Sequence, residues 1–196
     1  MGDGRAVGAV LAGGRSRRMG RPKALVELAG RPLAAHAVAA VEGASLEAIV
    51  VAKSDSALPA LRCRVVREPA EPLHPLHGIV AALSDSGGRP VIALACDMPL
   101  VPPALLQLLA GADAPVVVVE AAGRVQPLLA RYEPAVAAAL ARAVADGTAT
   151  HEAVAGLGPR MIGDDELARF GDPDLICLNV NTPADLERAE AVLASR

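Results

Sequence analysis

The sequence predicts an α/β fold in which helices cover both faces of a mostly parallel central sheet. Three observations predict it. Short Val- and Ile-rich runs alternate with Ala/Leu-rich stretches at helical spacing. Most of the apolar runs lack polar alternation, so they leave no face for water, as expected of strands buried on both sides. Four of the five helical stretches open on a proline, whose missing N–H suits a first helical turn.

In chain order, strands are expected at Ala6–Leu11, Ala48–Ala52, Arg64–Val66, Val91–Leu94 and Val116–Glu120, with weaker signals at Pro127–Arg131 and Ile176–Leu178. Helices are expected at Pro32–Val41, Gly78–Leu83, Pro103–Leu109, Pro134–Ala145 and Pro183–Leu193. Pro134–Ala145 is rich in alanine, the best helix former, and Val136, Leu140 and Val144 recur four apart. After Asp146 the alternation weakens at Gly147, Gly156, Gly158 and Gly163, marking a small substrate-facing subregion rather than a second domain. A length of 196 residues suits one domain spanning 1–196.

Composition narrows the function. Hydrophobic residues make up 53% and charged residues 21%, a globular balance that supports a core without staples. The net charge of −3, the absence of Trp and the single Tyr and Phe exclude both a basic nucleic-acid surface and a base-stacking platform. The charge-free stretch Met98–Ala112 falls short of the ~20 residues of a membrane span and contains three prolines. No secretory leader pattern opens the sequence, so a cytoplasmic location is expected. Cys63, Cys96 and Cys177 are widely separated and lack C-x-x-C spacing, which predicts reduced thiols in the core rather than disulfides or zinc.

The first strand runs into Leu11-Ala12-Gly13-Gly14-Arg15-Ser16-Arg17-Arg18-Met19-Gly20-Arg21-Pro22-Lys23. Paired glycines allow positive φ and close approach, so successive N–H groups can converge on phosphate oxygens. Arg15, Arg17, Arg18, Arg21 and Lys23 follow without an intervening carboxylate, a charge that a triphosphate would balance. Lys23 and Lys53 are the only lysines among 19 basic residues, which suggests a point-charge role for Lys23. The spacing matches neither a Walker A loop nor G-x-G-x-x-G. A plain turn with a solvated basic surface would account for the same residues. Further along, the apolar strand at Val91 ends in Cys96-Asp97-Met98-Pro99, placing a carboxylate where open α/β sheets bind ligands and Mg²⁺-phosphate complexes. A turn aspartate before proline accounts for that residue equally well.

Together these residues resemble the nucleotidyltransferases related to molybdenum cofactor guanylyltransferase. The glycine-loop motif runs from Leu11 to Lys23, and the Cys-Asp-x-Pro turn follows at Cys96–Pro99. Pro75-Leu76-His77-Gly78 is similar to a family loop, Gln126-Pro127-Leu128 to a second segment, and Asn179-Val180-Asn181-Thr182-Pro183-Ala184-Asp185-Leu186 to the closing motif. The resemblance implies a Rossmann-like nucleotidyltransferase domain that transfers GMP from GTP to molybdopterin, releases pyrophosphate and forms molybdopterin guanine dinucleotide. It implies nucleotide binding by Leu11, Ala12, Gly13, Gly14, Arg15, Lys23, Lys53, Glu68 and Asp97. Lys23, Asp97 and Arg18 become the catalytic candidates, with Mg²⁺ on Asp97 and substrate contacts from Gly78, Gln126, Asn179 and Asn181.

As partners it implies the two small molecules and other molybdenum cofactor proteins or recipient molybdoenzymes, with neither nucleic acid nor membrane. Several positions depart from the family. Glu68 stands nearest to its base-contacting aspartate and Lys53 replaces a common asparagine, while Gly147–His151 lacks an expected arginine. His74 and His77, read as exposed loop residues, have no evident third metal ligand. The sister cytidylyltransferase and a non-catalytic nucleotide-binding module are the competing readings. Leu-Ala-Gly-Gly, where the sister tends to have Leu-Ala-Ala-Gly, favours guanylyl transfer.

Overall fold

The computed structural model describes residues 5–14, 22–70 and 73–195. Its first half comprises β1 (Val7–Leu11), a small hairpin of β2 (Glu27–Leu28) and β3 (Arg31–Pro32), α1 (Leu33–Gly43), β4 (Glu47–Lys53), β5 (Arg64–Glu68), α2 (Pro75–Asp85) and β6 (Val91–Ala95). Then come α3 (Pro103–Ala110), β7 (Val116–Ala121), β8 (Arg124–Tyr132), α4 (Ala137–Ala145), α5 (Thr150–Ala155), β9 (Arg160–Ile162), α6 (Asp164–Leu167), α7 (Pro173–Ile176) and α8 (Pro183–Ala194).

The main sheet has the order β5-β4-β1-β6-β8-β7-β9. Every pairing within it is parallel except those of β8, which runs antiparallel to both β6 and β7. The expected α/β class with a mostly parallel sheet therefore holds. The period-2 alternation of strands sorts their side chains onto two covered faces. Val10, Val50, Ile92 and Val117 join Val38 and Val41 of α1 and Leu105, Leu106 and Leu109 of α3. On the opposite face Val7, Ala9, Ile49, Val51 and Val118 meet Leu76 and Ile79 of α2, Leu140 of α4 and Val154 of α5. Each fully buried Val or Leu contributes roughly 1.5–3 kcal/mol, which explains the uniformly apolar strands. Close packing of α1 on β1 depends on Gly8, where an added Cβ would lie 2.2 Å from Val41 Cγ1.

A third, smaller apolar cluster joins distant parts of the chain. Val26, Leu28 and Leu33 pack with Leu100, Leu178, Val180 and Ala189, so the β2–β3 hairpin is braced by α8 and the segment before it. Hairpins β2–β3 and β7–β8 both turn through two left-handed residues, Ala29-Gly30 and Ala122-Gly123, with φ of 50° and 73°, and 49° and 69°. This is the type I′ geometry that matches strand twist.

Some sequence expectations are corrected. Ile176–Leu178 is not a strand. Asp172 accepts a hydrogen bond from Asp174 N–H (2.9 Å) and Pro173 occupies the first turn, so the apolar residues finish α7 instead. The loop expected at Pro75–Gly78 is the first turn of α2, which begins three residues before the expected Gly78. Pro32 pairs in β3 and precedes α1, while Pro134 starts a 3₁₀ turn ahead of α4. The weak Pro127–Arg131 signal is nine-residue β8, and α5, β9 and α6 fill part of the region where alternation fades. All three cysteines are free thiols, and burial pushes Cys96 up to about 12 and Cys177 up to about 11, which keeps them protonated. Among the described residues no helix is long and apolar enough to cross a membrane.

Candidate active site

Chain direction sets the position of the site. After β1 the chain passes to β4 and β5 on one side, and β6 returns on the other side of β1. Beyond the carboxyl ends of β1 and β6 this reversal leaves a crevice, the usual ligand position in an open α/β sheet. A cleft of about 420 Å³ lies there, lined by Gly13, Gly14, Lys23, Lys53, Glu68 and Asp97 together with apolar walls from Leu11, Val51, Leu73 and Leu128.

Four strand ends supply the polar groups. Beyond β1, Ala12 N–H donates to Val51 O (2.8 Å), which keeps the emerging chain on β4. Ala12 is buried and supports the loop without lining the cleft. Neither Gly13 nor Gly14 has positive φ, contrary to the expectation from the glycine pair. The reason for Gly13 is space: a Cβ there would lie 2.8 Å from Glu68 Oε1 and 3.3 Å from Lys53 Cγ. Gly14 meets only Lys23 Cδ at 3.9 Å among the described residues. Arg15 and Arg18 lie outside the described residues.

At the ends of β4 and β5, Lys53 and Glu68 are register partners and form a buried ion pair, with Nζ 3.4 Å from Oε1. Their side chains are 4% and 6% exposed. Glu68 Oε2 is buried and accepts no hydrogen bond among the described residues. An unpaired carboxylate oxygen in a dry place is costly unless a ligand supplies the donor. Gly78 sits beside it in α2, since a Cβ there would come within 3.9 Å of Oε2 and 3.1 Å of Leu11 Cδ2.

Asp97 follows β6 in a turn closed by Met98 N–H on Ala95 O (3.1 Å), and Cys96 N–H donates to Leu11 O (3.1 Å). The carbonyl of Asp97 accepts from Val180 N–H (2.8 Å), which straps the closing motif against the turn. Lys23, in a 3₁₀ turn after the glycine loop, donates to Asp97 Oδ2 and to Asn181 Oδ1. With side chains 19% and 12% exposed, Lys23 and Asp97 keep access to the cleft. Asn181 is fixed in turn: its Nδ2 donates to Asn179 O (3.3 Å) and its N–H to Asp185 Oδ2 (3.0 Å).

Not every candidate enters the cleft. Asn179 Nδ2 donates to Cys177 O (3.1 Å), so this side chain closes its own turn. Gln126 donates to Arg124 O (3.4 Å) and does not line the cleft, whereas its neighbour Leu128 does. The pairing of β7 with β8 jumps between Val118 and Val119, whose partners are Ala130 and Gln126. The three intervening residues bulge, and Tyr132 O–H holds the bulge by donating to Pro127 O (2.8 Å).

Sequence reasoning also missed the part played by His74. It is no exposed loop residue: its Nδ1 accepts from Leu76 N–H (3.2 Å), so Nε2 carries the proton and donates to Thr148 O (2.9 Å). The signal was the Pro75 that follows it, since a capping residue ahead of proline marks a helix start. His77 lies in α2 and is partly buried. No group of three or more His, Cys, Asp or Glu side chains could hold a metal among the described residues.

Comparison with known proteins gives the family of the chain. A family model described as a MobA-like NTP transferase domain matches residues 8–158. Molybdenum cofactor guanylyltransferase of Cereibacter sphaeroides is 37% identical, over 96% of this chain and 97% of its own. A probable molybdenum cofactor guanylyltransferase of Pelotomaculum thermopropionicum is 31% identical, over 95% and 93%. The crystal structure of molybdopterin-guanine dinucleotide biosynthesis protein A from Archaeoglobus fulgidus superposes with a TM-score of 0.79 at 25% identity, covering 96% of this chain and 99% of that one.

Proposed function

We propose, from the premise that this chain belongs to the family of MobA-like NTP transferases, that it moves GMP from GTP onto the phosphate of molybdopterin. Nucleotidyl transfer is the activity the chain shares with its relatives, and it is a nucleotidyltransferase enzyme of molybdenum cofactor biosynthesis. The donor base and the pterin acceptor are the finer reading. One observation carries it: Lys23 and Asp97 meet in the same cleft that is lined by Glu68, whose buried Oε2 has no hydrogen-bond partner among the described residues.

The polar groups of this cleft differ in kind. Beside Gly14 and Lys23, backbone N–H groups and an ammonium suit phosphate oxygens. Against Gly13, where a Cβ would stand 2.8 Å from Glu68 Oε1, an anionic acceptor suits hydrogen-bond donors, and guanine offers two adjacent ones, N1–H and the 2-amino group. Charge-assisted hydrogen bonds of this sort are the stronger class. Lys53 neutralises part of the Glu68 charge, so this reading gives Lys53 to the base end rather than to the triphosphate.

In the reaction an acceptor phosphate oxygen attacks the α-phosphorus, the bond to the bridging oxygen of pyrophosphate breaks, and pyrophosphate leaves in line. A phosphate monoester is largely ionised at neutral pH, so no strong general base is required. The residues mainly position and neutralise. Lys23 binds the triphosphate and stabilises charge that builds on the transferring group. Arg15 and Arg18 belong to the same basic loop and would add charge there.

The donor set also suits Mg²⁺. This ion prefers one or two carboxylates plus substrate phosphates and water over a full protein cage, and Asp97 supplies one carboxylate. Asp97 would hold it, and the ion would supply charge neutralisation at the phosphates. Steady-state pyrophosphate release with molybdopterin, Mg²⁺ and either GTP or CTP tests the reading. Preference for GTP, with turnover lost in Asp97→Asn, is the expected result. Preference for CTP would overturn the guanylyl assignment, and release by neither nucleotide would overturn the acceptor as well.

A further inference from the structure

The closing motif touches the reaction site through one side chain, Asn181, and its contact is with Lys23 rather than with open space in the cleft. An ammonium has three donors and a long flexible stem. Two of those donors are already placed, one on Asp97 and one on Asn181. The two acceptors differ in charge. The pair with Asp97 is neutral overall and would attract a triphosphate weakly, whereas an amide oxygen orients the ammonium and leaves its charge intact.

Asn181 is itself rigidly held. Its Nδ2 bond to Asn179 O sets which way the amide faces, so the oxygen points at Lys23. Its N–H is fixed to Asp185, which also accepts from Thr182 N–H (2.8 Å) within the capping box of α8. Val180, one residue earlier, is bound to the carbonyl of Asp97. The cap of α8 is thus connected by successive hydrogen bonds to a lysine 158 positions earlier in the chain.

We infer that Asn181 is a positioning residue for the donor nucleotide: its amide oxygen holds the Lys23 ammonium in place, with its charge available, when Asp97 turns to phosphate-bound Mg²⁺. The identity of the side chain follows from electrostatics. A carboxylate at 181 would orient Lys23 equally well but add a negative charge beside the phosphate site, whereas an amide orients without neutralising. This inference rests on Lys23 as the triphosphate contact. It assigns Asn181 to the donor side of the reaction, in place of the acceptor contact implied by family resemblance.

Direct binding of GTP with Mg²⁺ present and the pterin acceptor absent tests it without turnover. Asn181→Ala should weaken GTP binding roughly ten-fold, the scale of a hydrogen bond to a charged group. Asn181→Asp should weaken it further even though an acceptor is restored, because the added charge repels phosphate. In a double-mutant cycle, Asn181→Ala should cost little in a Lys23→Ala background, since the group it positions is gone. Additive losses would overturn the inference. So would unchanged GTP binding combined with a raised KM for molybdopterin, the outcome expected of an acceptor contact.

If Asn181→Ala merely loosens the fold, its unfolding midpoint falls and Asn181→Asp, which keeps the shape, binds like the wild type; that result also overturns it. Should Lys23→Ala alone leave GTP binding unchanged, the failure lies with Lys23 as the triphosphate contact. Selectivity between GTP and CTP is a separate measurement, so a preference for CTP would leave the Lys23–Asn181 coupling standing.

Discussion

Replacing Gly13 with alanine isolates the steric demand of the glycine loop, because the neighbouring glycine provides an internal control. An alanine Cβ at 13 would stand 2.8 Å from Glu68 Oε1, whereas ordinary contact begins at 3.4 Å, so the carboxylate would have to retreat by about 0.6 Å. Retreat is obstructed, since Glu68 is 6% exposed and paired with Lys53, whose Cγ would itself be 3.3 Å from the new methyl. Overpacking of this kind costs roughly 1–3 kcal/mol. For a chain of this length about 2 kcal/mol corresponds to a fall in Tm of roughly 4–8 °C. Displacing Glu68 should also weaken GTP binding by about ten-fold, the scale of one charge-assisted hydrogen bond.

Among the described residues Gly14→Ala meets only the flexible stem of Lys23 at 3.9 Å, and it should change Tm by less than about 2 °C, within the usual range for a substitution free of core strain. Thermal unfolding and nucleotide titration of both variants decide the matter. Equal behaviour of the two variants, or a larger loss at Gly14, would refute the steric account.

Three more predictions follow from other parts of the molecule. Glu68→Gln removes the carboxylate that stands 3.4 Å from the Lys53 ammonium and should destabilise by roughly 1.5–3 kcal/mol, the scale of one charge-assisted interaction. Adding Lys53→Met should recover much of the unfolding midpoint without recovering GTP affinity, and recovery of both would contradict a base-binding role for the carboxylate. Burial pushes the Asp185 carboxyl up, but hydrogen bonds from Asn181 N–H and from the hydroxyl and N–H of Thr182 outweigh it, leaving the group below its usual 3.8. A depressed folded value means the stabilisation is complete above that usual value and is lost as pH falls through the folded one. Asp185→Asn should therefore lower stability at neutral pH and flatten its decline in acid, as measured by denaturant unfolding across pH. Finally, Ala122 holds φ of 49° in the β7–β8 turn, so Ala122→Asn should stabilise by roughly 0.5–1 kcal/mol, seen as a higher Tm with unchanged turnover.

The parts of the fold that were legible in the sequence are those written in one stretch of chain. Strands β1 and β6 announce themselves as unbroken apolar runs, and Lys23 and Asp97 lie in local motifs placed just beyond them. The partnership of Lys53 with Glu68 was hidden because it depends on the parallel register of β4 and β5, which no local pattern encodes. Gly13 was identified for a different reason from the one that applies: paired glycines suggest positive φ, but the need for space comes from a side chain 55 positions away. The strand expected at Ile176–Leu178 failed because three apolar residues carry too little period to outweigh Asp172-Pro173 as a helix start. Leu128 entered the cleft unforeseen, since the bulge that turns it inward exists only in the pairing of β8 with β7.

The bond between Lys23 and Asn181 also bears on when the protein becomes competent during its synthesis. Residue 181 is made 158 residues after Lys23, an interval of roughly 8–30 s at translation rates of about 5–20 residues per second. Through that interval a nascent chain can already build β1, β4, β5 and β6, and with them most of the cleft, while the lysine lacks its amide partner and the β2–β3 hairpin lacks the cover of α8. Ribosome-bound chains stalled before residue 181 would accordingly hold nucleotide loosely. Emergence of the segment from Leu178 to Ala189 then closes the third apolar cluster and aligns the ammonium in the same event.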